Sequence, residues 1–114
     1  MRPGELFWAP FPFTDTEDVK RRPACVVSGE AFNRGPDLIL AMLTSRRALL
    51  TAPGVGDVPL TDWRSASLLA PSTLRAGRLQ TMASGLLMGR LGTLSPADLD
   101  ALKHALRDVL ELTS

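Results

Sequence analysis

The sequence predicts a mainly β domain, a small and strongly curved barrel finished by one C-terminal helix. Two observations carry this. Short apolar runs recur along the chain between turns rich in its nine glycines and nine prolines. A clear helical period occurs only at the end, behind a set of capping residues. With 114 residues and 45% hydrophobic content, the chain makes a single domain, 1–114, around one modest core.

The elements follow in order. Glu5 to Phe13 is an apolar, aromatic-rich run whose exit Pro10 and Pro12 make irregular or edge-like. Thr14 to Arg22 is polar, lacks a helical period and reads as a loop. Pro23 cannot donate to a ladder and pushes Arg22 into extended geometry, so Ala24 to Ser28 reads as a strand leaving a charged loop and stopped by Gly29. Leu38 to Thr44, bounded by Gly35-Pro36-Asp37 before and charges after, reads as a strand buried on both faces. Thr51 to Asp57 is a loop, and short strands are expected at Val58–Leu60, Ser67–Leu69 and Ser72–Arg78. Gly85 to Leu94 fits strand and helix equally. Ser95-Pro96-Ala97-Asp98 then supplies an N-cap, a proline at the first helical position and an acid in the first turn, predicting a helix over about 96–112. Leu99, Leu102, Leu106, Val109 and Leu110 form its core stripe, with Lys103, His104, Arg107 and Asp108 turned mostly outward.

The net charge of +1 conceals an uneven distribution. Residues 20–90 hold ten Lys and Arg against four Asp and Glu, whereas both ends are acidic. Cys25 is the only cysteine and His104 the only histidine. A disulfide framework, a His/Cys zinc site, a Ser-His-Asp triad within the chain and a two-histidine ribonuclease centre are excluded or disfavoured by count, and no metal or cofactor is expected. Cys25, inside Ala-Cys-Val-Val, reads as a small core residue rather than a nucleophile. Met-Arg-Pro-Gly-Glu begins no signal peptide and the longest apolar run, Leu38 to Leu43, is too short to span a bilayer, so the expectation is a cytoplasmic protein with no membrane partner.

The most informative stretch is Lys20-Arg21-Arg22-Pro23-Ala24-Cys25-Val26-Val27-Ser28. Cations pinned at the mouth of a strand are positioned to meet a phosphate; a solvated loop beside a core strand is the other reading of the same residues.

Taken with Pro10-Phe-Pro-Phe-Thr-Asp15, Ala31-Phe32-Asn33, the run ending Leu43-Thr44-Ser45, Leu69-Ala-Pro-Ser-Thr-Leu-Arg75 and Gly89-Arg90-Leu91-Gly92-Thr93-Leu94-Ser95-Pro96, that stretch resembles the PemK/MazF toxins of bacterial toxin–antitoxin pairs. The resemblance runs in order over nearly the whole chain. It implies an SH3-like β-barrel of the PemK/MazF/CcdB type with a C-terminal helix, commonly a homodimer. It also implies a metal-independent endoribonuclease that cuts single-stranded RNA at a short sequence and is silenced by a cognate antitoxin.

Cleavage without a metal uses the neighbouring 2′-hydroxyl, so the protein must align it, stabilise charge on the phosphorus oxygens and manage two protons. Arginine suits the second task because its planar fork binds two oxygens and stays charged. By the resemblance Arg22 sits on the scissile phosphate, Thr44 hydrogen-bonds there with help from Ser45, and Arg75 makes a second phosphate contact. Thr44 and Arg75 read equally as a strand-end hydroxyl satisfying backbone and a surface arginine. Some relatives carry an acid where this chain has Gly77; Asp15 is then a candidate base or a simple charge partner of the basic run. Lys20, Arg21, Arg46, Arg47 and Arg78 are candidates for RNA-backbone contacts. Phe13, with Phe11 and Phe32, is a candidate stacking surface or core residue, and Trp8 and Trp63 read as structural. Two other functional classes stay open. One is a same-fold toxin that binds protein, as the CcdB gyrase poisons do; the other is a weakened relative that binds RNA or antitoxin only.

Overall fold

The fold rests on one six-stranded sheet in which every neighbouring pair runs antiparallel. The computed structural model describes residues 1–11 and 20–112, apart from the side chain of Phe11. The strands are β1 (Glu5–Phe11), β2 (Lys20–Val26), β3 (Asp37–Thr44), β4 (Asp57–Pro59), β5 (Thr73–Ala83) and β6 (Arg90–Thr93), in the spatial order β4-β5-β3-β2-β1-β6. Two short helices, α1 (Glu30–Asn33) and α2 (Arg47–Thr51), interrupt the loops, and α3 (Pro96–Leu110) ends the fold. The result is the expected mainly β architecture with its C-terminal helix, formed as a half-barrel.

Both faces of the sheet are covered. Leu6, Cys25, Leu43 and Leu74 point to the side where α3 lays Leu102 and Ala105. The alternate residues Phe7, Ala9, Val26, Leu38 and Leu40 form a second buried cluster, against which Met42, Met82 and Leu87 pack. Two buried faces explain why β3 reads as an unbroken apolar run rather than an alternating one.

Curvature comes from β5. Met42 of β3 stands opposite Arg75 and Ala41 opposite Leu79, so Ala76, Gly77 and Arg78 are extra residues on one side of the ladder. A bulge of this kind bends the strand and strengthens its twist. It lets the first part of β5 pair with β4 while the remainder follows β3. The expected strand at Ser72–Arg78 is thus the front half of an eleven-residue strand.

Other expectations are corrected. Lys20 to Arg22 lie in β2, because β1 continues its pairing with that strand out to Phe11 and Lys20. Ser67–Leu69 is a turn, with Ser67 in the left-handed region at φ 65°. Gly85–Leu94 divides into the end of a 3-10 turn (Ser84–Leu86) and β6. Leu110 is 50% exposed, since the last turn of α3 lies beyond the sheet's cover.

The start of α3 is tied to the barrel by a buried carboxylate. Ser95 Oγ accepts from the Asp98 amide at 3.2 Å. Asp98 Oδ1 accepts from the Thr61 amide at 2.9 Å and the Thr61 hydroxyl at 2.8 Å, and Oδ2 from the Asp62 amide at 3.0 Å. Burial alone would raise the Asp98 pKa. The hydrogen bonds from Thr61, Asp62 and Ser95 together outweigh it and hold the carboxyl below its ordinary value.

A folded-state pKa below the unfolded one gives stability that is present above the unfolded pKa and is lost as pH falls through the folded pKa. Asp98→Asn should therefore unfold at lower denaturant concentration than wild type at neutral pH, by about 1–3 kcal/mol, with the gap narrowing on acidification. Denaturant midpoints from neutral pH into the acid range check this. A second prediction concerns Gly92, where a Cβ would stand 2.6 Å from the Ala66 carbonyl oxygen. Gly92→Ala should cost about 1–3 kcal/mol of unfolding free energy because the obstacle is backbone.

Candidate functional site

The antiparallel pairing of β2 with β3 brings the start of one strand beside the end of the other. Lys20, Arg21 and Arg22 therefore gather at the same end of the sheet as Thr44, Ser45, Arg46 and Arg47, residues that the sequence holds more than twenty positions away. Among them lies a hollow of about 240 Å³ lined by Arg22, Pro23, Leu43, Thr44, Ser45, Arg46 and Ser72. Four of the sequence-predicted residues, Arg22, Thr44, Ser45 and Arg46, thus share one wall system.

The hollow exists because the β2–β3 ladder stops early. Val27 donates to the Ile39 carbonyl at 2.9 Å, so hydrogen-bonded pairs recur every second residue, at Cys25 with Ala41 and then at Pro23 with Leu43. Pro23 has no N–H, and pairing ends at Ala24 with Met42. The β1–β2 ladder uses the alternate residues of β2 and runs on past the proline to Lys20. Continuing the register by two residues sets Arg22 across the gap from Thr44.

Thr44 Oγ accepts from the Arg46 amide at 3.3 Å, the backbone role foreseen for a strand-end hydroxyl. This engages a lone pair and leaves the hydroxyl proton to be donated. Arg22 is exposed and makes no ion pair with a described residue. Thr73, directly opposite Thr44 on β5, is fully buried, and its hydroxyl has no hydrogen-bond partner among the described residues.

Arg75 is placed differently. It stands two residues, roughly 6.8 Å, along β5 from Thr73 and does not line the hollow. Its Nε donates to Asp57 Oδ1 at 3.0 Å across the β4–β5 pair. Asp57 is 5% exposed in its side chain, and its other oxygen accepts from the Gly54 amide at 2.9 Å. Register puts Arg75 on the Arg22–Thr44 face.

The remaining candidates scatter around this centre. Lys20 and Arg47 are exposed at the starts of β2 and α2. Arg21 lies over the Trp8 ring, its guanidinium carbon 4.7 Å from the centroid. Arg78 belongs to a separate hollow at the β5 bulge, with Met42, Gly77 and Leu79. At Gly77 a Cβ would meet nothing within 4 Å among the described residues, which leaves room there for a side chain that this chain does not supply. Phe13 and Asp15 lie outside the described residues.

His104 is exposed on α3, its Nε2 3.5 Å from an Asp100 oxygen, far along the chain from the cationic end. Burial pushes the Cys25 thiol up to about 12, against a smaller lowering by the Gly4 backbone, which keeps it protonated and inert. Among the described residues no group of three or more His, Cys, Asp or Glu is arranged to hold a metal ion. The hollow's donors are guanidinium and hydroxyl groups, which suit phosphate oxygens. Three lining residues, Pro23 as ladder-breaker, Leu43 and Ser72, were not singled out as site residues from the sequence. The signal for the first was a proline inside a strand.

Comparison with known proteins bears on this site. The family described as PemK-like, MazF-like toxins of type II toxin–antitoxin systems matches residues 2–110. The fold is similar to an endoribonuclease from a mycobacterial species in complex with its cognate antitoxin, at TM-score 0.81 and 22% identity, covering 100% of this chain and 98% of that one. It is similar to the Mycobacterium tuberculosis toxin MazF-mt6 at TM-score 0.77 and 20% identity, over 99% of this chain and 100% of that one. A MazE–MazF structure from Deinococcus radiodurans gives TM-score 0.75 and 21% identity, over 99% and 98%. At such identities the shared property is the fold. None of the curated proteins matches the sequence.

Pro23→Ala restores a donor facing the Leu43 carbonyl, so the amide of position 23 should become protected in hydrogen-exchange NMR and the fold should not lose stability. Rapid exchange at that position would show that something other than the missing donor holds the strands apart.

Proposed function

The chain belongs to the PemK-like, MazF-like toxins of type II toxin–antitoxin systems, and on that premise we propose that it is an endoribonuclease that cuts single-stranded RNA at a short sequence. The observation that carries this reading is the hollow that sets Arg22 across from Thr44 with Ser45 and Arg46 on its walls.

In the proposed reaction the 2′-oxygen attacks the adjacent phosphorus and forms a 2′,3′-cyclic phosphate. The bond from phosphorus to the 5′-oxygen breaks. The 2′-hydroxyl loses its proton to a base and the leaving 5′-oxygen gains one. Arg22 holds the non-bridging oxygens as their charge grows, and the Thr44 hydroxyl donates to one of them. Arginine cannot serve as the base. Asp15, in the segment leading into β2, is the base we assign from its sequence position. Arg75, oriented by Asp57, takes a neighbouring phosphate. Lys20, Arg21, Arg46, Arg47 and Arg78 contact the RNA backbone, fixing affinity and its salt dependence. No step requires a metal ion.

The toxin acts in the cytoplasm as a homodimer and lowers translation and growth by cutting messenger RNA. A cognate antitoxin restrains it by covering the cationic end of the sheet. Similarity to an endoribonuclease–antitoxin complex and to a MazE–MazF complex supports that partnership.

The test incubates purified protein with long single-stranded RNA in excess chelator and maps the new ends. Discrete cuts leaving a 2′,3′-cyclic phosphate and a 5′-hydroxyl are expected. Arg22→Ala should lower the rate roughly 100- to 1,000-fold while leaving the thermal midpoint unchanged. Absence of cleavage by folded wild-type protein, over RNAs covering all short sequences, would move the function to binding alone. Equal activity of Arg22→Ala would remove Arg22 from the chemistry.

A further inference from the structure

A second hollow, of about 250 Å³, opens beside the first. The two share Pro23, Ser45 and Ser72, so they are compartments of one depression. Their chemistry differs. The first is walled by guanidinium and hydroxyl groups, the second by Trp8, Pro23, Leu68 and Leu91, with Ser67 and Ser72 among its polar residues.

We propose that the hollow beside Trp8 seats one nucleobase of the RNA, next to the phosphate held at Arg22. This rests on the reading of the first hollow as a phosphate site. A ribonucleotide carries a flat apolar base a short distance from each phosphate, so a protein that fixes the phosphate must place the base in water or on a surface. Here the adjoining surface is an indole.

The Trp8 ring is held ready. Its residue stands opposite Pro23 in the β1–β2 register, and its backbone exchanges hydrogen bonds with the segment before β6: Trp8 N donates to Gly89 O at 2.8 Å, and Met88 N to Trp8 O at 2.7 Å. Arg21 lies over the ring, its guanidinium carbon 4.7 Å from the centroid, and restrains the indole. An aromatic ring with a preset orientation loses little entropy when a base stacks on it.

The far wall is a constrained turn. Ser67 takes a left-handed conformation that a serine rarely adopts, and Gly92 lets the Ala66–Ser67 backbone approach β6 more closely than any side chain would permit. Beyond it Leu69 is 94% exposed at the mouth of the hollow, where it can fold over a bound base. A strained serine at one rim is the kind of position that sites for an occupant hold in place. The cations nearby and the shared wall with the phosphate site favour a nucleotide over an apolar protein side chain.

The experiment uses the full chain and a short RNA containing one mapped cut. Each nucleotide flanking the cut is replaced in turn by an abasic residue, and kcat/KM is measured for wild type and Trp8→Ala. At one position the abasic change should cost wild type roughly 10- to 100-fold. Trp8→Ala should cost about as much on the intact RNA and show no added loss from that one abasic change. A second measurement covers poor folding of that variant. In Trp63→Phe, which leaves Trp8 as the only indole, an RNA with a 2′-deoxy nucleotide at the cut should quench the fluorescence, and the same RNA abasic at the identified position should not.

Additive losses at every position, or quenching indifferent to the base, would overturn the proposal while leaving the nuclease reading in place. So would a Trp8→Ala protein that cleaves normally but escapes its antitoxin, which would give the hollow to a protein side chain. If wild type cuts no RNA at all, the phosphate reading falls and takes this inference with it.

Discussion

The organisation of the cationic end depends on a hydrogen bond that cannot form. Residues of a central strand direct their amides alternately to the two neighbouring strands, and in β2 position 23 faces β3. A proline there removes one rung from the β2–β3 ladder and none from the β1–β2 ladder. β1 therefore still carries β2 out to Lys20, which keeps Arg22 extended and in register, while β3 departs after Met42. One residue later in the chain, the same proline would have broken the ladder to β1 and left the three cations on a loose arm. Parity decides whether Pro23 makes a rigid gap or a frayed end.

Three arginines near that gap are restrained in three ways. Arg75 is held by the buried carboxylate of Asp57 through its Nε. Arg21 rests on an indole. Arg22 has no carboxylate partner among the described residues and depends on its backbone for position. A guanidinium neutralised by a close carboxylate binds an anion less strongly than an unpaired one, whereas a guanidinium on an aromatic face keeps its full charge. Among the described residues Arg22 and Arg46, which line the same hollow, are the arginines there that no carboxylate neutralises.

Much of this architecture was legible in residue patterns. The buried β3, the capped α3 and the apolar Cys25 follow from period, capping chemistry and neighbours, all of which are local. What was not legible depended on partners remote in sequence. Arg22 lies in a strand rather than a loop because β1 extends to pair with it. β5 runs to Ala83 because a three-residue bulge carries it around Gly77, where local turn signals suggest an end. Ser67–Leu69 looked like a strand, yet its backbone is set by the close approach of Gly92. Cationic residues on two separate segments were visible as candidates, but their convergence is a property of antiparallel pairing, not of either segment. Arg75 was visible as well, and its attachment to Asp57 was not, since that requires the register of β4 against β5.

The two hollows also show how one residue serves both faces of a sheet. Arg22 and Thr44 belong to one face by alternation, and Pro23, Leu43 and Trp8 to the other. In an intact sheet the backbone ladder would keep these faces apart. Where the rung is missing, residues of both faces line a common space, and Pro23, with Ser45 and Ser72, borders both a charged compartment and an apolar one. Any shift of β2 relative to β3 that widened the first compartment would also move the wall of the second. The wall that the two compartments share belongs in part to a strand that stays paired with β1 on its other side. A polymer whose charged and flat apolar groups alternate would meet both compartments at once, whereas a free anion would fill only the first.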